Sequence, residues 1–189
     1  MHTFILIGLL SLRKLNQAMK NKISLLIVSV LTIALFALEP AGKKVYVCMP
    51  CGNECDKTVY SEAGTCPMCK MQLVDKRTIH FNNIQSDEIC QYITDHPKTI
   101  LLDVRTKEEF EGKANPNFGT LKNAINLPVQ ELESKISDLD QYKGKEIIVY
   151  CSHSHRSPMA SWILTQHGFK TVTNMLGGMS VLKDSTCMK

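Results

Sequence analysis

A chain of 189 residues, 44% hydrophobic and 21% charged, can bury one core of ordinary size and still carry extra segments around it. Its net charge of +4 comes from scattered basic residues, with no Lys/Arg run interleaved with aromatics. Nucleic acid is therefore excluded as an expected partner.

The first distinctive element is the uncharged run Ile23 to Leu38, flanked on its N-terminal side by Lys20 and Lys22. That layout is the one of an export signal or signal anchor, so residues 1–42 are assigned to targeting. The run exceeds the roughly 7–15 residues of a cleaved signal core and falls short of the ~20 that span a bilayer untilted. The expectation is a cell-envelope, periplasmic protein, in contact with the membrane if the segment is retained. A start at Met19 would give a compact signal, MKNKISLLIVSVL, with its basic residues in place; this start is preferred.

Composition changes after Gly42. Five of the eight cysteines fall between Cys48 and Cys69. Cys48-x2-Cys51 and Cys66-x2-Cys69 each form a knuckle presenting two thiolates, and four thiolates suit a tetrahedral zinc ion. Cys55 is an alternative ligand, and disulfide bonding in an oxidising envelope is the competing fate of these thiols. Residues 43–77 are too few to build a core without such a staple. The segment resembles the short heavy-metal-binding domain attached to metal export proteins, on Tyr46, Cys48, Cys66, Pro67, Cys69 and Met71. It departs from that pattern at Cys51, where a histidine is usual. The expected metal is zinc or another soft ion such as copper, to which Met49, Met68 and Met71 offer thioethers; the same methionines serve equally as gap fillers.

Residues 78–189 alternate strand and helix signals. TIHFNNI reads as an edge strand and SDEICQYITDHP as a helix capped by Ser86. TILLDV reads as a buried strand, and TKEEFEGK as a helix with Thr106 and Glu109 at capping-box spacing. KNAINLP, a helix around VQELESKI, the strand EIIVY, the helix SPMASWILTQHGF and the strand TVTNM follow. Repeated βα units imply an α/β fold: a parallel sheet with helices on both faces and ligands at the carboxyl ends of its strands.

IIVYCSHSHRSPMAS places Cys151 at one of those ends and Ser157-Pro158 at a helix start, with Pro at the first helical position. The turn between them surrounds the sulfur with backbone N–H groups and a helix N-terminus, which favour an anion and hence a nucleophilic thiolate. Arg156 is expected to add a fixed positive charge over the same pocket. An inert buried thiol would account for Cys151 alone but would not call for an arginine in the same turn. Cys90 and Cys187, which have no charged neighbour at a useful spacing, do fit an inert role.

The C-terminal segment resembles the rhodanese family, whose active loop reads Cys-x-x-Gly-x-Arg-Ser at this junction. Cys151, Arg156 and Ser157 match it, and ILLDVRTKEEF, GTLKNAINLPV and NMLGGM match further family segments. Ser154 stands where Gly is usual, Thr120 where His is usual, and Val181-Leu182 where a tryptophan commonly follows the double glycine. The resemblance implies a rhodanese-like fold and a sulfurtransferase with catalytic Cys151 and Arg156. Its substrate loop would be Ser152, His153, Ser154, His155 and Ser157. Asp103 and Arg105, at the end of the neighbouring strand, are read either as a brace for that loop or as a helix-capping turn. It implies no catalytic cofactor, a small sulfur-containing donor such as thiosulfate or a persulfide, and a thiol or cyanide acceptor. Two alternatives remain open: an envelope metal-binding or sensor protein using the fold as a scaffold, and a cysteine phosphatase.

Overall fold

A computed structural model describes residues 43–189. The apolar run Ile23 to Leu38 and the Met19 start lie outside the described residues. Among the described residues, no helix is long and apolar enough to cross a membrane.

The Cys-rich segment forms a small antiparallel sheet of β1 (Tyr46–Val47), β2 (Val59–Tyr60) and β3 (Val74–Asp75), with β1 in the middle. Strands this short cannot bury a core, and the interior of the segment consists chiefly of Cys48, Cys51, Cys55 and Cys66 with Leu73.

The larger sheet contains β4 (Asn82–Gln85), β5 (Ile100–Asp103), β6 (Ile125–Asn126), β7 (Glu146–Tyr150) and β8 (Thr171–Leu176), in the order β4-β8-β7-β5-β6. Every pairing in it is parallel. Its helices are α1 (Ile89–Asp95), α2 (Lys107–Phe110), α3 (Val129–Leu132) and α4 (Arg156–Gln166). The expected alternation of strand and helix therefore holds throughout, and TIHFNNI supplies the edge strand β4.

Alternation along β7 divides the core. Ile147, Val149 and Cys151 join one cluster with Leu132 of α3 and Ala160, Ile163 and Leu164 of α4. Ile148 and Tyr150 join a second cluster with Ile89 and Cys90 of α1. One strand thus serves both faces, because successive side chains point to opposite sides, and β7 reads as continuously apolar because both faces are covered.

Two helix starts differ from the expectation. At α1, the Gln85 N–H donates to the Glu88 carboxylate, while Ser86 donates its hydroxyl to the carbonyls of Leu176 and Gly178. Ser86 ties the edge of the sheet to the end of β8 instead of capping the helix. α4 begins at Arg156, which makes Pro158 its third residue. The missing proline N–H costs nothing there, since first-turn amides have no partner within the helix.

Residues 44–189 form one compact unit, and the Cys-rich segment rests on the end of β8. Asn174 Nδ2 donates to the Pro50 carbonyl at 3.3 Å. A Cβ built on Gly52 would stand 3.6 Å from Leu176 Cδ2, an ordinary contact.

Candidate active site and cysteine cluster

Cys151 follows β7, which lies between β8 and β5, so its sulfur sits at the centre of the sheet's carboxyl edge. It is fully buried, with Sγ 3.4 Å from the Ser157 hydroxyl. The loop is backed by the turn after β8. Met179 N–H donates to the Cys151 carbonyl and Ser180 N–H to the Ser152 carbonyl, each at 2.9 Å. Gly178, at φ +68°, makes this approach possible: a Cβ there would lie 2.5 Å from the Ser152 oxygen and 2.6 Å from the Cys151 oxygen. The double glycine seen in the sequence is the seat of the Cys151 loop.

Ser154 has φ 57°, the left-handed backbone that explains why glycine suits this position. Its hydroxyl is buried and has no hydrogen-bond partner among the described residues. His153 and His155 are exposed, and the His153 ring meets Phe118 edge-on at 5.2 Å.

Arg156 differs from the expectation of a free cation over the pocket. Its Nη1 and Nη2 donate to the two carboxylate oxygens of Glu109 at 2.6 and 2.7 Å. The Ser152 hydroxyl donates to the same carboxylate at 2.6 Å and Thr106 N–H at 3.0 Å. The Arg156 hydrogen bonds, with those from Ser152 and Thr106, outweigh partial burial and lower the Glu109 carboxyl to about 2. Glu109 caps α2 as its spacing predicts, but it also anchors the Cys151 loop through Ser152 and Arg156, and the sequence reading missed this second role. The pairing is a contact across 47 positions, for which the sequence carries no local signal.

Asp103 and Arg105 are buried and paired, with Nη2 2.6 Å from a carboxylate oxygen. Arg105 Nη2 also donates to the Gly119 carbonyl at 2.8 Å and the Thr120 hydroxyl at 3.3 Å. They brace the segment around residues 119–120, and the loop of residues 151–156 takes its side-chain support from Glu109.

In the cysteine cluster, the sulfurs of Cys48, Cys55, Cys66 and Cys69 lie within 4.8 Å of one another. Cys48 and Cys69 are 3.1 Å apart, and Cys48 and Cys55 3.8 Å. Tetrahedral zinc with Zn–S bonds of about 2.3 Å sets its sulfurs about 3.8 Å apart, so these four residues fit such an ion. Burial and the neighbouring thiols push the Cys48 thiol up; burial also raises Cys55, to about 12. At Cys66 burial is outweighed by the Cys69 and Met68 N–H groups and the adjacent thiols, which bring it to about 6. The structure thus assembles three of the four cysteines expected from the paired knuckles together with Cys55, the alternative ligand. Cys51 falls outside this set. Its sulfur accepts from Asn53 Nδ2 at 3.1 Å and faces Asp56 Oδ1 at 3.3 Å.

Cys90 and Cys187 are not inert thiols. They form a disulfide across 97 positions that ties α1 to the C-terminal tail. The tail in turn pairs with the Arg105-braced segment, through Lys122 N–H to the Cys187 carbonyl and Lys189 N–H to the Thr120 carbonyl.

A buried cysteine at the carboxyl end of a central parallel strand, held in a six-residue loop that closes on an arginine, defines an α/β protein built around a presented thiol. The chain belongs to the rhodanese-like domain family, whose match spans residues 87–185. A sulfurtransferase of Allochromatium vinosum is 29% identical over 98 residues, covering 52% of this chain and 84% of that protein. A tRNA uridine(34) hydroxylase of Yersinia enterocolitica is 31% identical over 100 residues, covering 51% of this chain and 27% of that protein. The chain therefore spans only about a quarter of the hydroxylases it resembles. Among solved structures, a rhodanese-related protein of Thermoplasma volcanium is 29% identical with a TM-score of 0.43, covering 52% of this chain and 87% of that one.

Proposed function

We propose that this chain is a sulfurtransferase that carries sulfane sulfur on Cys151. The observation that carries this reading is the loop itself. Only Ser152 to His155 stand between Cys151 and Arg156, and Arg156 is engaged by Glu109 instead of facing an incoming oxyanion. A phosphatase loop needs a wider ring and a free guanidinium for the equatorial oxygens of a phosphoryl group. A ring suited to one sulfur atom needs neither.

In the first half-reaction the Cys151 thiolate attacks the outer sulfur of thiosulfate. A new S–S bond forms on Cys151, the donor's S–S bond breaks, and sulfite leaves with its electron pair. In the second, a thiolate or cyanide acceptor attacks the outer sulfur, and the electrons of the breaking S–S bond return to Cys151. A glutathione persulfide donor follows the same course with glutathione thiolate as the leaving group. Loop N–H groups stabilise the persulfide anion. Arg156 and Glu109 hold the loop's shape, so Arg156→Ala should slow transfer from anionic and neutral donors alike.

The cysteine cluster supports a metal-bearing segment in the same protein, with zinc or another soft ion on Cys48, Cys55, Cys66 and Cys69. The ion would supply the folding free energy that this short segment lacks. The Cys90–Cys187 disulfide, together with the uncharged run Ile23 to Leu38, supports placement in the oxidising cell envelope.

Steady-state transfer from thiosulfate to cyanide tests the enzyme reading. Parallel-line ping-pong kinetics that vanish in Cys151→Ser are expected. Cys151-dependent turnover of an aryl phosphate without sulfur transfer would favour the phosphatase. Fractionation tests the location, and a purely cytosolic pool would overturn it.

A further inference from the structure

The cysteine cluster has more ligands than one ion can use. Beside the four-sulfur set, Cys48, Cys51, Cys55 and Asp56 form a second group whose ligand atoms also lie within 4.8 Å of one another. The two groups share Cys48 and Cys55. We propose that the segment holds a binuclear thiolate centre, in which Cys48 and Cys55 bridge one ion on Cys66 and Cys69 to a second on Cys51 and Asp56. This inference rests on the metal-bearing reading of the cluster.

Three observations point to the second ion. First, Cys51 is buried yet excluded from the four-sulfur set, which would leave a thiol unused beside two ligands. Second, its sulfur is prepared as a ligand. Asn53 Nδ2 donates to it at 3.1 Å, the kind of outer hydrogen bond that orients and stabilises a coordinating thiolate. Third, Asp56 is fixed to offer one oxygen. Its Oδ2 accepts the N–H groups of Cys51 and Gly52 at 2.9 and 2.7 Å, while Oδ1 faces the Cys51 sulfur at 3.3 Å.

The Cys51 thiol donates to that oxygen at 3.3 Å. Binding a divalent ion there would release the thiol proton and satisfy both anions, as metal binding to thiols generally does. A thiolate sulfur has lone pairs for two cations, so Cys48 and Cys55 can serve both ions, giving each four ligands. The first site has four sulfurs and the second three sulfurs and one oxygen. Both suit zinc, which accepts carboxylate oxygen as well as thiolate.

The test uses the full chain, reduced at the cluster, loaded with zinc alone and read by native mass spectrometry, then loaded with cadmium alone and read by cadmium NMR. Two ions per chain and two distinct cadmium resonances are expected, with Cys51→Ala and Asp56→Asn each falling to one ion and one resonance. One ion per chain in the unaltered protein, unchanged by Cys51→Ala, would overturn the binuclear centre and leave the four-sulfur site standing. No bound ion at all would overturn both. Should Cys51→Ala fail to fold, the number of cadmium resonances in the unaltered protein still decides the matter.

Discussion

Glu109→Gln is the perturbation that most sharply separates a braced loop from a free arginine. The substitution keeps the side-chain volume but removes the charge opposite Arg156 and weakens the bonds from Ser152 and Thr106. Lowering the Glu109 carboxyl from its ordinary 4.5 to about 2 corresponds to about 3 kcal/mol of stabilisation. The side chains are 28% and 19% exposed, so solvent screening reduces this to about 2 kcal/mol. For a chain of this size that is a fall in Tm of about 4–8 °C. Persulfide formation should slow by about tenfold as the loop loosens, if roughly 1.4 kcal/mol of this reaches the transition state. The contribution has a definite pH window. It is fully present above 4.5, where the unfolded carboxyl is ionised, and is lost as pH falls toward about 2, so the Tm gap between the two proteins should close over that range. A double-mutant cycle with Arg156→Ala, read by thermal melts and by persulfide formation rates, should give a coupling of about 2 kcal/mol. Additive effects within about 0.5 kcal/mol would refute the pairing as the loop's anchor.

Two further outcomes follow from the same geometry. Gly178→Ala should destabilise the fold by about 3 kcal/mol or more and suppress sulfur transfer, since its Cβ would meet two backbone oxygens at 2.5 and 2.6 Å with no flexible side chain to yield; near-normal melting and turnover would contradict the seating role. Cys187→Ser should cost about 2–4 kcal/mol in chemical denaturation, because the disulfide closes a loop of 97 positions, and hydrogen exchange should rise at residues 119–122, where the tail pairs; unchanged protection there would show that the tail does not buttress that segment.

Much of this fold was legible because its signals are local. The apolar runs at Ile100–Asp103 and Glu146–Tyr150, the Thr106 and Glu109 spacing and the turn from Cys151 toward Arg156 each depend on neighbours in sequence, and each stands where expected apart from the helix after the turn, which begins at Arg156 itself. What escaped notice depends on distant partners. Glu109 reaches Arg156 across 47 positions, and Cys90 reaches Cys187 across 97. Asp103 and Arg105 looked like loop supports because they end the strand beside β7, but the segment they hold is fixed by the path of the chain through Gly119 and Thr120. Among the cysteines, spacing favours two C-x2-C knuckles, yet the chain turns Cys51 toward Asp56 and brings Cys55 inward, a choice made by side-chain direction that spacing does not encode.

The central claim is that Cys151 carries the sulfur, and intact mass measured after a brief exposure to thiosulfate or glutathione persulfide tests it most directly. The account predicts the addition of one sulfur atom, mapped by peptide analysis to Cys151, removed on adding cyanide or a thiol, and absent in Cys151→Ser. Persistence of the added sulfur in Cys151→Ser, or its appearance only on the cluster cysteines, would contradict it.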